Sequence, residues 1–155
     1  MSETLTLPDE LRVTTEQWLD DVEAGLVRLE NAYGGLRAAD ASSLHAAIAD
    51  VRTCTSFARR MFDGAVPLGA LADASWVPIT KPSLELAAAI FSRGYEFAQT
   101  PFALLEQAKA LLSLDMYKSF SLEVAYVLGS TFTNLTRAVW DDYPQYAPPG
   151  WSAAK

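Results

Sequence analysis

The chain is poor in the residues from which most metal and redox sites are built. Its 155 residues include one cysteine, Cys54, and one histidine, His45. A single cysteine excludes an intramolecular disulfide and fits a reducing compartment. A single imidazole argues against a di-iron bundle site, a histidine-based zinc site and a haem with two histidine ligands. The sequence therefore predicts neither a metal site nor a cofactor.

Long apolar runs and clustered basic residues are missing too. No stretch of about 18 uninterrupted apolar residues occurs, so we expect no membrane span. The polar, acidic N-terminus lacks the pattern of a secretory signal, and we expect a cytoplasmic protein. The formal net charge of −7 argues against a nucleic-acid partner, because phosphate binding needs a clustered basic surface.

Motifs of the common enzyme classes are also absent. The sequence holds no Gly-x-Ser-x-Gly elbow, no P-loop and no dinucleotide-binding glycine fingerprint. We interpret His45 as a surface residue in the first turn of a helix. Cys54 is interpreted as a buried filler, since free cysteine is among the most buried residue types. No catalytic residue is assigned, although a cofactor-free enzyme that uses Tyr, Asp or Arg side chains stays open.

What the sequence does contain is helical periodicity over a length that suits one domain, residues 1–155. Residues 1–13 are predicted to be an extended lead-in, after which Thr14 and Gln17 form a capping-box pattern. The first helix carries one apolar stripe and ends at Gly34-Gly35. The stripe consists of Trp18, Val22, Leu26, Leu29 and Tyr33. A second helix is predicted from the polar cluster at residues 40–43, which offers Asp40 among its possible N-caps, to Asp63-Gly64.

Prolines and glycines interrupt the pattern between Ala65 and Pro82, where we predict a long loop with Trp76 and Val77 as an apolar plug. Ser83 is predicted to cap a third helix that runs to Gln99. Further helices follow, but two of their junctions stay open. Thr100-Pro101 indicates a new helix or a kink, and residues 113–115 indicate a break or a continuation of the fourth helix, predicted over residues 102–112.

The last predicted helix, roughly Met116 to Asp141, is poor in charge. A helix of this kind is the central element of a bundle, an interface between copies, or a surface that contacts something apolar. The sequence leaves these three alternatives open. Residues 143–155, rich in proline and aromatic residues, are predicted to be an extended tail. The predicted fold is therefore all-α, a four- or five-helix bundle with a long loop between helices 2 and 3.

Apolar and aromatic residues accumulate in the second half of the chain, and we predict that a set of them contacts an apolar surface or ligand. The set is Tyr95, Phe102, Tyr117, Phe120, Val124, Tyr126, Leu128, Phe132 and Leu135. Charge is distributed in the opposite way. Residues 1–80 hold twelve acidic and six basic residues, whereas residues 81–155 hold seven and six.

The stretch from Gly94 to Val139 resembles the phasins, which coat intracellular polyester storage granules. The resemblance is carried by Phe97-Ala98 and Phe102-Ala103-Leu104-Leu105-Glu106-Gln107-Ala108-Lys109, followed by Asp115, Leu122-Glu123 and an aromatic-rich helix to Leu135. It implies a non-enzymatic helical protein that adsorbs to a hydrophobic polymer and self-associates. The predicted loop and the Pro/Trp tail have no counterpart in that family.

We therefore expect a non-enzymatic structural protein whose charge-poor C-terminal helices contact an apolar surface, in the manner of a granule coat. We also expect it to form a homo-oligomer. The alternative is a helical bundle that holds a small apolar ligand in an aromatic-lined pocket, as a cofactor-free enzyme or as a subunit of a larger assembly.

Overall fold

The computed structural model describes residues 6–65, 76–93 and 100–150, and this part of the chain contains helices and no β-strand. The helices are α1 (Asp9–Glu30), α2 (Ala38–Phe62), α3 (Leu84–Arg93), α4 (Thr100–Leu111), α5 (Leu114–Thr131) and α6 (Arg137–Asp142). A π-helical turn over Phe132–Thr136 joins α5 to α6 without a break. The all-α fold is confirmed, and the long last helix is present as α5, the π turn and α6.

The core lies where α1 and α5 pack on α2 and where α4 packs on α1. The buried side of α1 is almost wholly apolar and contains Leu11, Trp18, Leu19, Val22, Leu26 and Leu29. On α2, Phe62 contacts Phe120 of α5, with the ring centroids 5.2 Å apart. Each fully buried side chain of this size contributes about 1.5–3 kcal/mol relative to an exposed one.

The predicted start of the first helix is wrong. The helix begins at Asp9, directly after Pro8, whose missing N–H costs nothing at that position. Thr14 does not cap a helix. Its hydroxyl donates to the Glu10 carbonyl, 3.1 Å away, from within the second turn. Residues 9–13, predicted as lead-in, are therefore helical, and Asp9 and Glu10 supply the negative charge that favours a helix start.

Asp40 joins the starts of α2 and α3 instead of capping α2. This buried carboxylate accepts hydrogen bonds from the Ser83 hydroxyl and backbone N–H, and from Arg37 Nε at 2.9 Å. Ser83 caps α3 as predicted, because its Oγ also accepts from the Leu86 N–H at 3.2 Å. Burial raises the pKa of Asp40, but the bonds from Ser83 and Arg37 outweigh burial and hold that pKa below its usual range.

Residues 76–83, which we call the strap, run across the outside of the bundle without regular secondary structure. The Trp76 ring packs 3.7 Å from the Cβ position of Gly129 on α5. Ile79 is buried, whereas Val77 is exposed. The apolar plug is therefore formed by Trp76 and Ile79, and the prediction was wrong for Val77. The rest of the predicted loop, residues 66–75, lies outside the described residues.

The junctions near the C-terminus are resolved in two places. Ser113 separates α4 from α5, since its hydroxyl accepts from the Met116 N–H at 3.3 Å as a helix cap. Contrary to the prediction, the tail is not extended throughout, because Pro144–Tyr146 form a 3₁₀-helical turn, and it docks on the bundle as far as it is described. Tyr143 donates to the Pro82 carbonyl, and the Tyr146 ring stacks on Phe91 at 4.7 Å. Residues 94–99 lie outside the described residues, so the choice between a turn and a kink at Thr100-Pro101 stays a prediction.

The first testable consequence concerns Asp40. We expect Asp40→Asn to lower the free energy of unfolding by about 2 kcal/mol at pH 7, because hydrogen bonds to a buried charged group are lost. The folded-state pKa of Asp40 is depressed, so its charged form stabilises the protein above the unfolded-state pKa of about 3.9. That stabilisation disappears as the pH falls through the folded-state pKa.

Urea unfolding from pH 7 to pH 3 measures the effect. The difference between wild type and Asp40→Asn should shrink below about pH 4. The exposed Asp63→Asn at the end of α2 is the control, and it should change stability by no more than about 0.5 kcal/mol. Equal stability of Asp40→Asn and wild type at pH 7 would contradict the role of Asp40.

Candidate functional site

The residues predicted to contact an apolar surface or ligand do not form one outward face. Phe120, Val124 and Leu135 are 0% exposed, because the stripe that they occupy packs against the rest of the bundle. In this conformation they are not available to an external surface. Three more, Tyr117, Tyr126 and Leu128, are partly buried against the same core, and the half-buried Phe132 lies with its ring 5.4 Å from that of Trp140. Phe102, on α4, is 75% exposed, and Tyr95 lies outside the described residues.

The outward side of α5 carries a different row, which we call the α5 outer face: Leu114, Lys118, Leu122 and Ala125. Their spacing of four, four and three residues aligns them along one side of the helix. All four are exposed, with Leu114 at 68% and Leu122 at 53%. Sequence reasoning missed the two leucines because it followed the aromatic stripe, which is the buried side. A row of leucines eight residues apart, offset from that stripe, was the available signal.

The strap limits the α5 outer face at its C-terminal end. Gly129 follows Ala125 by four residues on the same side of α5, and there the Trp76 ring covers the helix. A methyl group added at position 129 would meet Trp76 at an ordinary van der Waals distance of 3.7 Å. The apolar character of this side of α5 therefore continues from Leu114 to the half-buried Trp76.

Beneath this face, polar side chains lie between α2 and the helix formed by α5 and the π turn. We call this layer the polar seam: Asp50, Cys54, Glu123, Ser130 and Asn134. Its best connected member is the fully buried Asn134. It donates from Nδ2 to Asp50 Oδ2 at 2.7 Å, and its Oδ1 accepts from the Val77 N–H at 3.0 Å. The backbone carbonyl of Asn134 accepts a further hydrogen bond from the Ile79 N–H at 2.9 Å.

Asn134 lies inside the π-helical turn, a local structure that is frequent at functional sites. In the sequence it stands among other polar residues, in Thr131-Phe132-Thr133-Asn134-Leu135-Thr136. Its partners lie 57 and 84 residues away along the chain, so no local pattern indicates them. Asn134 is therefore a key residue that sequence reasoning did not find.

Cys54 faces the same seam from α2 and is buried, as predicted. Burial raises the pKa of the Cys54 thiol, and a hydrogen bond with Ser130 offsets this only in part. A thiol with a raised pKa stays protonated near neutral pH and is a poor nucleophile. Cys54 is thus a packing residue of the α2 to α5 contact in this structure.

Arg52, the basic residue closest to Cys54 in sequence, pairs with α1 instead. Its guanidinium bonds Glu30 at 2.8 Å and Glu23 at 3.0 Å, and these contacts lower the pKa of Glu30. A second pair, Arg59 with Asp20 at 3.0 Å, runs alongside. The acidic side of α1 is therefore tied to α2 by arginines, in addition to the apolar contact between the two helices.

A shallow depression of about 280 Å³ lies on the outer side of α2. Described residues that line it are Arg52, Thr53, Ser56, Phe57 and Arg60. None of the nine predicted contact residues is among them, so this depression is not the aromatic-lined pocket of the alternative hypothesis. The exposed His45 lies outside it, with its ring 6.2 Å from that of Tyr33.

The described residues form neither a metal-binding cluster nor a membrane-spanning helix. Over residues 6–65, 76–93 and 100–150, no group of three or more His, Cys, Asp or Glu side chains is arranged to hold a metal ion. No helix within the described residues has the length and the apolar content needed to cross a membrane.

The polar seam gives a direct prediction. Asn134→Ala should lower the free energy of unfolding by at least about 2 kcal/mol, because it leaves the Val77 N–H and the Asp50 carboxylate without their partner. Urea unfolding followed by circular dichroism measures this. Asn31→Ala, at the exposed end of α1, is the control and should change little. If the two variants were equally stable, the bonds to Asn134 would not hold the strap.

Comparison of the chain with protein-family models, with curated proteins and with solved structures gives no match.

Proposed function

We propose that this protein is a non-enzymatic surface-binding protein that adsorbs to a hydrophobic polymer and coats it, as phasins coat polyester granules. The observation that carries the proposal is the α5 outer face, where Leu114 and Leu122 are both more than half exposed on one side of one helix. Single exposed apolar residues are ordinary, but a row of them is typical of an interaction surface. Covering such a row yields about 25 cal/mol per Å² of apolar area removed from water.

The single charge in this row does not oppose adsorption. Lys118 lies between Leu114 and Leu122, and a lysine can lay its apolar stem along a hydrophobic surface while its ammonium group reaches water. The exposed Leu111 lies three residues before Leu114, at the end of the neighbouring α4. These residues lie in the part of the chain that resembles phasins.

The uneven distribution of charge between the two halves of the chain also supports the proposed function. The excess of acidic residues falls in residues 1–80, to which α1 and α2 belong. A coat protein that turns its acidic half to water would keep coated particles apart by charge repulsion. Self-association, which the phasin resemblance implies, would add the contacts of several copies and strengthen adsorption without any new contact within one copy.

The α5 outer face is tested by Leu114→Glu combined with Leu122→Glu. We expect this double variant to bind polyhydroxybutyrate particles at least about tenfold more weakly than wild type, because it places two carboxylates where apolar contact is needed. Co-sedimentation with the particles, beside hydrophilic beads, is the measurement. Val13→Glu is the matched control, because Val13 is 66% exposed on α1, and it should bind like wild type.

Circular dichroism separates binding from folding in this series. The double variant and Val13→Glu should keep the helix content of wild type, whereas Phe120→Glu should lose it, because Phe120 is fully buried. A folded double variant that still binds would exclude the α5 outer face as the contact. Wild type that binds polymer particles no better than hydrophilic beads would refute the proposed function itself.

A further inference from the structure

We propose that the bundle opens along the polar seam when it meets an apolar surface, so that the buried side of α5 contacts the surface together with the α5 outer face. This inference rests on the proposed function, since it requires that the protein binds such a surface. It assigns to the polar seam a role that a permanently closed bundle would not need.

The buried side of α5 carries more apolar side chains than the α5 outer face. Phe120, Val124 and Val127 are 0% exposed and point into the bundle. The outer face offers only Leu114, Leu122 and the small Ala125 besides its lysine. If α5 separated from α2, the buried side of α5 could contact the surface as well.

The polar seam lowers the cost of opening at this plane, which is also an extensive contact between helices. Among the described residues, four of the buried polar side chains lie on α5 and the π turn: Glu123, Ser130, Thr131 and Asn134. Buried polar groups exchange their partners inside the protein for water when a contact opens, so part of the cost of separation is offset. The buried side of α1, by contrast, includes one polar side chain, Thr15. Exposing that side of α1 would place Trp18 and several leucines in water with fewer buried polar groups to hydrate.

The strap closes the seam from outside and sets how it opens. It bonds α2 through the Thr80 N–H and the Ser43 hydroxyl, 3.2 Å apart, and it bonds the π turn through Val77 and Ile79, which both donate to Asn134. Because one residue accepts both of the latter bonds, its displacement releases two points of the strap together. Trp76 would then leave Gly129, and the apolar row on the outer face would lengthen.

An apolar surface can drive this change only if it binds the open form more tightly than the closed form. The additional contact of Phe120, Val124 and Val127 supplies that difference. In water the same side chains favour the closed bundle, so the protein would remain folded and closed until it meets the surface. The equilibrium is thus coupled to the surface by the same residues that form the core.

One substitution tests the inference by locking the seam. The Cys54 thiol on α2 donates to the Tyr126 carbonyl of α5 at 3.9 Å, and Ser130, one turn further along α5, offsets part of the rise in the pKa of that thiol, so Ser130→Cys places a second thiol close to Cys54. Refolding with oxidised glutathione would join them in a disulfide, each bond formed reducing one glutathione disulfide to two thiols. Mass measurement and thiol titration establish that the bond is present, and dithiothreitol reverses it in the same protein.

We expect oxidised Ser130→Cys to bind polyhydroxybutyrate particles at least about tenfold more weakly than the same variant after reduction, since the loss of the buried side of α5 reduces the contact area. Wild type and the double variant Cys54→Ser with Ser130→Cys have one thiol each and should bind equally under both conditions. Equal binding of the oxidised and reduced forms would overturn the opening while the proposed function stands. Failure of wild type to bind would instead remove the proposed function, and the opening with it.

Hydrogen exchange of wild type gives a second test that does not depend on the disulfide. The amides of Val77 and Ile79 are bonded to Asn134 in the closed form, so they should exchange at least about tenfold faster on the particles than in solution. Amides of α1 serve as the internal reference and should stay protected. Unchanged protection of the strap in bound protein would contradict the opening, whether or not the disulfide forms.

Discussion

The hydrogen bonds of Asn134 are the constraint on which much of this structure depends. A fully buried amide must find partners, because each unpaired polar group inside a protein is costly. Asn134 finds them in two parts of the chain: its side chain bonds Asp50 on α2 and Val77 on the strap, and its backbone carbonyl bonds Ile79 on the strap. The π turn places the residue where these groups meet. One residue thus helps to fix where α5 lies on α2 and where the irregular strap crosses both.

Two different kinds of contact hold the helices together. Between α1 and α2, apolar packing is combined with arginine pairs, in which Arg52 bonds both Glu23 and Glu30. Between α2 and α5, apolar packing such as Phe62 on Phe120 is mixed with buried polar groups. The first contact places its charged groups at a partly exposed edge, with the side chains of Arg52, Glu23 and Glu30 29–44% exposed, whereas the second buries its polar groups inside the bundle.

Local signals in the sequence predict the local parts of this fold well. Ser83 is identified as a helix cap because a cap needs only the next three residues. The sequence leaves residues 113–115 open between a break and a continuing helix, and the structure decides for a break that the Ser113 hydroxyl caps. The capping-box pattern at Thr14 gives the wrong start for α1, because Pro8 and the acidic residues Asp9 and Glu10 favour a helix that begins five residues earlier. The sequence predicts Asp40 as a possible N-cap of α2, yet its carboxylate bonds Ser83, 43 residues away.

The side of α5 that faces the core could not be derived from the sequence, and the reason is physical. A charge-poor helix has apolar residues on most of its circumference, so periodicity does not decide which side a neighbour covers. The structure decides it through long-range partners: Phe62 on α2 covers Phe120, and Trp76 on the strap covers Gly129. Leu114 and Leu122 are left outside by that choice. A helix with two apolar sides, one covered through a partly polar contact, is suited to exchange one neighbour for another. The same property that made α5 ambiguous in the sequence is therefore the property on which the proposed function rests.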